Sequence, residues 1–500
     1  MWWGYPYSKP QICYGGTGLP EEISTSDILI NSAIGETRLA HMARLPHMQK
    51  ARPVEIRLFR DHKPSLIGAI YVGRITSLST EFQAAFVDLG QGLTGFLPLS
   101  LLPKRPGKKP QDLTSLLTEG QKIIVQVTAD AISDKSVKLT SRIEVSSSAL
   151  ILHPFREGAF VSSRIKDITR REELKRFASS LDLKGMGLTL RTEAAHLSHD
   201  EIRKISDLLV RHWVRAVENR DKKKVPYLLS QGPDSLLQIL REYGSCKYDK
   251  IIFDHPATLK NAQNWAREFS PDLLDRMIMH TGTCSLFEDY GVEEELDRLC
   301  DKSIPLPSGA WITIEQTEAM IVIDVNMGNS KIHKDPLKQR LAVNFQAARE
   351  IFRQIRLRGM SGLIVIDFIN MSGQRTAGHK SSEKSDVSNL LGVIDNLILE
   401  DPIQIQRSNL SSFGILELAR KGGAAPLSRL MLTETQPAPT AETAALSLLR
   451  QWERDAAAKP GIPLTVTAQA EVTSWLKSHP NLMKEFTRRT GCRLDISASL

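Results

Sequence analysis

Cysteine is scarce in this chain. Its 500 residues include five cysteines, and no two of them have the spacing of a CxxC motif. They are scattered along the sequence as Cys13, Cys246, Cys284, Cys300 and Cys492. So few scattered cysteines argue against a disulfide framework and a zinc knuckle, and they are typical of a protein in a reducing compartment. We therefore expect a cytoplasmic protein.

Long apolar segments are also missing. No apolar run reaches the roughly 18–20 residues that a membrane-spanning helix requires. The first residues are aromatic and rich in glycine and proline, without the basic and then apolar order of a signal peptide. We therefore expect no membrane span, and we interpret residues 1–25 as a disordered extension.

The composition itself is ordinary. The chain is 41% apolar and 24% charged, which is typical of a soluble globular protein, and its length predicts about two to four domains. The net charge of +8 favours an anionic partner, of which nucleic acid is the common one. Many soluble proteins are equally basic, so charge alone leaves the partner open.

The pattern of short segments changes along the chain. Residues 64–145 contain alternating or β-branched runs separated by turn residues, which predicts a small β-barrel. Residues 146–235 mix strands and helices, and Ser198 with Glu201 predicts a capping box at the start of a long amphipathic helix. From residue 305 the pattern is α/β, with predicted helices over 335–357 and near 385–398.

The stretches "AMIVIDVN" and "SGLIVIDFINM" each contain an apolar run that is followed by an aspartate, Asp324 in the first and Asp367 in the second. The second run predicts a strand buried on both faces. Ligands gather at the carboxyl ends of strands in an α/β sheet, and two carboxylates placed there repel each other unless a cation lies between them. Asn326 follows Asp324 by two residues and can point the same way. The pattern predicts a Mg²⁺ site, although each aspartate could also merely end a strand.

The stretches "TEAMIVIDVNMG", "NFQAAREIFRQIRLRGMSGLIVIDFINM" and "SSFGILELAR" resemble the catalytic domain of the ribonuclease E/G family. These bacterial endoribonucleases cut single-stranded RNA and leave 5′-phosphate and 3′-hydroxyl ends. The resemblance implies that Asp324 and Asp367 bind the catalytic Mg²⁺ and that Asn326 orients Asp367.

The resemblance continues upstream. The segment "EFQAAFVDLGQGLTGFLPLS" resembles the S1 domain of the family, which implies that Phe86 and Phe96 stack on RNA bases and that Lys135 is a basic RNA contact. A position in the barrel core is the alternative for Phe86. The segment "GMGLTLRT" is similar to the 5′-sensor motif, which implies that Arg191 and Thr192 bind a 5′-terminal monophosphate.

The resemblance also implies the architecture. This is a multidomain α/β fold, in which an RNase H-like subdomain with an inserted S1 (OB-fold) barrel and a 5′-sensor domain precedes a DNase I-like α/β catalytic domain and a small C-terminal domain. The implied boundaries are 26–63 and 236–300 for the two parts of the RNase H-like subdomain, 64–145 for the barrel, 146–235 for the sensor, 301–425 for the catalytic domain, 426–439 for a linker and 440–500 for the last domain.

Several positions depart from the family pattern. Met327 stands where serine is usual, Asn370 where aspartate is usual, and Pro402 and Ser412 where arginine is common. The helix after the second acid-ended strand also has few basic residues, so charge-assisted contacts to substrate phosphates are lost. The sequence thus leaves two functions open, an active endoribonuclease and a catalytically weakened or inactive RNA-binding regulator. A DNA nuclease or a phosphatase is disfavoured by the barrel and sensor motifs.

The absence of a zinc-binding motif is a further departure from the family pattern. Many family members carry a CPxC motif after the last of these stretches and join two chains around one Zn²⁺. No cysteine occurs here between Lys421 and Cys492, which excludes a cysteine-ligated zinc at that place. A homodimer formed through other surfaces remains an expectation.

Overall fold

The computed structural model describes most of the chain. The described residues are 26–44, 51–102, 116–131, 136–218, 224–232, 235–243, 248–282, 284–317, 319–371, 380–421, 426–433, 438–458 and 461–498. The predicted extension over residues 1–25 therefore lies outside them.

The described chain opens with three antiparallel strands. They are β1 (Ser26–Ala33), β2 (Glu36–Ala43) and β3 (Arg52–Arg60). Each pairs with the next along the sequence. Apolar side chains such as Ile28, Ile30 and Leu39 are fully buried on one face of this sheet.

A closed barrel follows. Its strands are β4 (Ile70–Ser79), β5 (Ala84–Gly90), β6 (Leu93–Pro98), β7 (Lys122–Ala129) and β8 (Val137–Thr140). The hydrogen-bonded order is β4-β5-β6-β8-β7, and β7 pairs back with β4. Alternate residues of each strand, including Val87, Leu97, Val125 and Leu139, fill the interior. The prediction of a small β-barrel is confirmed, and five closed strands fit an OB-fold.

The next unit packs helices on a four-stranded sheet. Its elements are β9 (Val145–Ser146), β10 (Leu150–His153), β11 (Ala159–Val161), α1 (Ile168–Ser179), β12 (Gly187–Leu190) and α2 (His199–Glu218). The sheet order is β11-β12-β10-β9. The predicted capping box is confirmed, because the Glu201 carboxylate accepts from the Ser198 N–H at 2.7 Å and the Ser198 Oγ accepts from the Glu201 N–H at 3.3 Å. The strand β13 (Tyr227–Ser230) then returns to pair with β4 of the barrel.

The chain next returns to its first sheet. The elements are α3 (Ser235–Tyr243), β14 (Lys250–Phe253), α4 (Pro256–Phe269), β15 (Met277–Met279), α5 (Leu286–Asp289) and α6 (Val292–Asp297). Strand β14 lies parallel to β1 and to β15, so the complete order is β15-β14-β1-β2-β3. Two segments distant in sequence therefore share one sheet, and the barrel and the four-stranded unit are inserted between them.

A second α/β unit contains both acid-ended strands. Its elements are β16 (Ser303–Pro305), β17 (Trp311–Gln316), β18 (Met320–Asn326), α7 (Pro336–Leu357), β19 (Gly362–Asp367), α8 (Lys380–Glu400), β20 (Ile405–Arg407) and β21 (Ile415–Arg420). The sheet order is β16-β17-β18-β19-β21-β20. Strands β18 and β19 are the parallel pair, joined by the crossover helix α7.

The expectation that the strand in "SGLIVIDFINM" is buried on both faces is wrong. Ile364 and Ile366 are fully buried, but Leu363, which directly precedes Ile364, is 41% exposed. Helices α7 and α8 cover one face of the sheet, with Ile351 and Leu390 in its core cluster. The other face of β19 is open among the described residues, because no described helix packs there.

The last unit is a small α/β domain. Its elements are α9 (Leu427–Met431), α10 (Ala441–Ala458), β22 (Leu464–Ala468), α11 (Ala470–Ser478), α12 (Pro480–Thr490) and β23 (Leu494–Ala498). The predicted linker over 426–439 contains the short helix α9. Leu427 at its start is buried in the apolar cluster that includes Leu29 and Phe287. No helix in the described ranges has the length and apolarity to cross a membrane.

A buried ion network fixes the helix behind the acid-ended strands. The Arg353 guanidinium of α7 is only 2% exposed and lies 2.6 Å from Glu350 and 3.2 Å from Glu295 of α6. It also donates to the carbonyl of Pro53 in β3 at 2.8 Å. One arginine thus connects the crossover helix to helix α6 and to strand β3 of the first sheet.

Candidate functional site

Asp324 and Asp367 lie at the carboxyl ends of the two central strands of the second α/β sheet, Asp367 as the last residue of β19 and Asp324 two residues before the end of β18. Their Cα atoms are register partners on the parallel strands β18 and β19. Opposite residues on such strands point to the same face, about 4.8 Å apart from strand to strand. Both side chains are exposed on the face that the helices leave open. The two carboxylates therefore share one accessible surface.

The pair is electrostatically uncompensated. Partial burial, and then the negative charge of Asp324, raise the pKa of Asp367 above its ordinary value. Among the described residues, neither carboxylate forms an ion pair with a cationic side chain. This is the arrangement that a bound cation relieves.

The donor set also limits which cation fits. Within the described ranges no group of three or more histidines, cysteines and acids is placed to hold a metal. Two carboxylates with open surroundings fit Mg²⁺, which takes oxygen ligands, keeps several waters and uses one or two protein carboxylates with substrate phosphates. They do not fit a structural Zn²⁺, which needs four protein ligands.

Asn326 contacts a different aspartate from the one that the resemblance implied. Its Nδ2 donates to Asp324 Oδ2 at 2.9 Å and lies 3.5 Å from Thr313 Oγ1. Residues two apart on one strand share a face, so the amide reaches the carboxylate of its own strand first. In this structure Asn326 therefore orients Asp324, and the expectation that it orients Asp367 stays a prediction.

Asn344 is a supporting residue that the sequence reasoning missed. It lies on α7 and is fully buried. Its Nδ2 donates to the carbonyl of Ile369 at 2.8 Å, and its Oδ1 accepts from the N–H of Ile369 at 3.1 Å. The segment directly after Asp367 is thus held at both of its backbone groups. The signal was an asparagine on the apolar face of a helix, where a buried amide needs partners.

Cations lie on the segment that follows Asn326, another feature that the sequence reasoning missed. Lys331, Lys334 and Lys338 are exposed there. Arg340 donates to the carbonyl of Asn370 at 3.2 Å, which connects this segment to the one after Asp367. Positive charge is therefore present on the chain between Asn326 and the first turn of α7, although the helix after Asp367 has few basic residues.

Asn370 and Ser412, two of the departures from the family pattern, are exposed, and Pro402 lies between α8 and β20.

Phe86 and Phe96 form a pair on the outer face of the barrel. They are register partners on β5 and β6, with ring centroids 5.7 Å apart in an edge-to-face arrangement. Both are half-buried, whereas Ala85, Val87 and Leu97 point into the barrel and are fully buried. The alternative of a core position for Phe86 is therefore wrong, because alternation directs its ring outward.

A lysine that the sequence reasoning missed lies next to this pair. Lys138 on β8 is the register partner of Phe96 and is exposed. The residue predicted for this task, Lys135, lies outside the described residues. Two aromatic rings and one amine thus follow each other across three neighbouring strands.

Arg191 and Thr192 directly follow β12, where the sheet of the four-stranded unit ends. The Arg191 N–H donates to the carbonyl of Ala149 at 2.8 Å, and its Nη1 lies 3.4 Å from the carbonyl of Ser147. Both residues are half-buried. Their backbone is thus anchored, and a guanidinium and a hydroxyl from adjacent residues share this end of the sheet.

The ribonuclease E/G family model matches residues 145–422, which is more than half of the chain. This chain belongs to the ribonuclease E/G family. The model of the S1 RNA binding domain matches residues 66–135 as well. The ribonuclease E/G match contains both acid-ended strands and Arg191, and the S1 match contains Phe86 and Phe96.

Two named relatives show how much of each protein this ribonuclease E/G chain matches. Ribonuclease E of Haemophilus influenzae is 33% identical over 361 residues, which are 70% of this chain and 37% of that protein. Ribonuclease G of Escherichia coli K12 is 27% identical over 446 residues, which are 86% of this chain and 88% of that protein. The chain thus spans about a third of the ribonuclease E and most of the ribonuclease G.

Proposed function

We propose that this chain is a Mg²⁺-dependent endoribonuclease that cleaves single-stranded RNA in RNA processing and decay. Family membership and the named ribonucleases support hydrolysis of RNA phosphodiester bonds. The observation that carries the proposal is the register pairing of Asp324 with Asp367 on one open face, with Asn326 bonded to Asp324.

Each residue of the site has a role in this proposal. Asp324 and Asp367 hold the metal, Asn326 fixes the orientation of the Asp324 carboxylate, and Asn344 holds the backbone after Asp367. When bound, Mg²⁺ acts as a Lewis acid on a phosphate oxygen and lowers the pKa of a water molecule. The outcome expected from the family is a 5′-phosphate on one product and a 3′-hydroxyl on the other.

The barrel holds the substrate. Stacking on exposed rings binds single strands with little dependence on base identity, so Phe86 and Phe96 suit the task. Lys138 lies in line with the rings and attracts the phosphate backbone, and Lys135 remains a predicted contact. We expect the lysines after Asn326 to provide a second positive region for the RNA backbone.

Arg191 and Thr192 are proposed to bind a 5′-terminal monophosphate. A guanidinium pairs with two phosphate oxygens and a hydroxyl adds a donor. This contact would stimulate cleavage by anchoring the 5′ end while the barrel and the carboxylates hold the interior of the strand.

The second candidate is a catalytically weakened or inactive RNA-binding regulator. Asn370, Pro402 and Ser412, where the family pattern has aspartate and arginines, favour it. The intact pair of carboxylates counts against it, because an uncompensated pair costs stability unless it serves a ligand. A homodimer in either case remains a prediction.

One assay tests both the reaction and the sensor. The purified chain is incubated with single-stranded RNA carrying a 5′-monophosphate or a 5′-hydroxyl, with Mg²⁺ or with EDTA. We expect cleavage only with Mg²⁺ and faster cleavage of the monophosphate, and the preference should disappear in Arg191→Ala. Binding without cleavage in Mg²⁺ would favour the regulator.

A further inference from the structure

Two exposed aromatic side chains flank the carboxylate pair. Trp311 is 37% exposed and Phe413 is 80% exposed. Exposed apolar groups mark a binding site when they lie together on one surface, and both of these lie at the end of the sheet where the carboxylates are. Neither belongs to the barrel or to the sensor.

Trp311 is fixed beside the pair by sheet register. It begins β17 and is the register partner of Asn326, so its indole lies on the same face as the carboxylates. Trp311 lies on the strand next to that of Asp324 and opposite the residue two positions after it. The two Cα atoms are therefore roughly 8 Å apart.

The indole ring also packs against the backbone of Gly328. A Cβ added to Gly328 would lie 2.7 Å from Trp311 Cζ3 and 2.6 Å from the carbonyl oxygen of Gly309. The ring therefore packs against backbone that only glycine permits, and Gly328 has a φ of +54°. Such a ring is preorganised, and its remaining surface is exposed to solvent.

Phe413 lies on the opposite flank. Ile415 of β21 is the register partner of Asp367, and Gly414 precedes it with a φ of +91°. A Cβ added to Gly414 would lie 2.7 Å from the Phe368 carbonyl oxygen and 3.9 Å from Asp367 Oδ1. Phe413 thus directly precedes Gly414, whose backbone lies close to the Asp367 carboxylate.

We infer that Trp311 and Phe413 are base-stacking subsites that bracket the scissile phosphate of single-stranded RNA. This inference rests on the proposed function. The strand crosses β17, β18, β19 and β21, the phosphate lies over Asp324 and Asp367, and one base on each side stacks on an aromatic ring. Stacking of this kind accepts any base and adds affinity where the chain lacks arginines.

The test uses RNA binding to the non-cleaving variant Asp367→Asn, and steady-state cleavage by the otherwise unchanged chain. Trp311→Ala and Phe413→Ala should each weaken binding and raise KM by roughly 5- to 150-fold, the range of base–aromatic stacking. Trp311→Phe should restore most of the loss. Leu363→Ala, an exposed apolar residue at the other end of β19, is the control and should change neither value.

An abasic substrate identifies the contact. Removing the base on one side of the cleavage position should reproduce the effect of Trp311→Ala or of Phe413→Ala, and the two changes together should cost no more than one alone. Trp311 is also the exposed one among the described tryptophans, because Trp213, Trp265 and Trp452 are buried and Trp475 is half-buried. RNA should therefore change the fluorescence of the unchanged chain more than that of Trp311→Phe.

Three outcomes would overturn the inference. The first is unchanged RNA binding in both alanine variants. The second is a loss of RNA affinity in these variants that adds to the loss caused by the abasic substrate. The third is a loss of affinity that is explained by altered self-association of the variant. If the unchanged chain does not cleave RNA, the proposed function fails, whereas binding and fluorescence still decide the role of Trp311.

Discussion

Asp324 and Asp367 are separated by 42 intervening residues, yet their Cα atoms are direct register partners on adjacent parallel strands. The crossover helix α7 makes this possible, since it begins after the first aspartate and ends before the second strand. The same helix carries Asn344, which bonds the backbone beyond Asp367, and Arg353, which anchors the helix to the first sheet.

Asp367→Asn should lower Mg²⁺-dependent cleavage by at least about 100-fold, because the metal supplies several kcal/mol of stabilisation to the reaction. In thermal unfolding, Mg²⁺ should stabilise the unchanged chain more than the variant. Without metal the variant should be the more stable of the two, since the repulsion from Asp324 is removed. Glu417→Gln, an exposed acid on the same sheet face, is the matched control. Undiminished cleavage by Asp367→Asn would contradict the proposed metal site.

Lys138→Ala should weaken binding of single-stranded RNA and reduce the slope of log K against log salt by about 0.7, the contribution of one phosphate contact. The reason is its exposed position beside Phe96. The measurement is RNA affinity at several salt concentrations. Lys122→Ala is the comparison, because Lys122 is exposed on β7 but faces Arg74 in register rather than an aromatic ring. Equal slopes for Lys138→Ala and the unchanged chain would exclude this contact.

Arg353→Met should destabilise the fold by about 3–5 kcal/mol, because it removes the buried cation that Glu350 and Glu295 share and leaves Arg52, which lies 3.8 Å from Glu350, as their remaining described cationic partner. The measurement is urea unfolding followed by circular dichroism. Arg407→Met removes a partly exposed pair with Asp395 and should cost at most about 1 kcal/mol. Similar losses for the two variants would show that burial adds nothing to the Arg353 network.

His41 should make the fold less stable in acid. Burial, and then the neighbouring Arg356, lower the pKa of His41 to about 3, and its Nδ1 lies 2.9 Å from Arg356 Nη2. The His41 imidazole takes up a proton near pH 6.5 in the unfolded chain, but only near pH 3 in the folded chain. Its contribution to the free energy of unfolding is therefore complete above pH 6.5 and is lost as pH falls toward 3. His41→Gln should reduce the slope of stability with pH by up to about 1.4 kcal/mol per unit in that window. His196→Gln, on the surface, should leave the slope unchanged.

Local patterns predicted the elements near the site well. The prediction of a helix over 335–357 is confirmed by α7, which covers Pro336–Leu357. The predicted capping box at Ser198 is also present. Both follow from neighbouring residues, since helical spacing and caps act over one or two turns. The one-sided burial of β19 did not follow, because an apolar run is compatible with either one or two covering layers.

The sequence by itself determined that two strands carry an aspartate near their carboxyl ends, that a barrel precedes them and that no cysteine lies between Lys421 and Cys492. It also carried the resemblance that the family match bears out. Register, burial and side-chain direction were decided only by the tertiary structure, which placed Asn326 on Asp324, Lys138 beside Phe96 and Trp311 next to the carboxylates. The physical reason is that hydrogen-bond register between strands depends on how distant segments pack, and each of these contacts depends on that register.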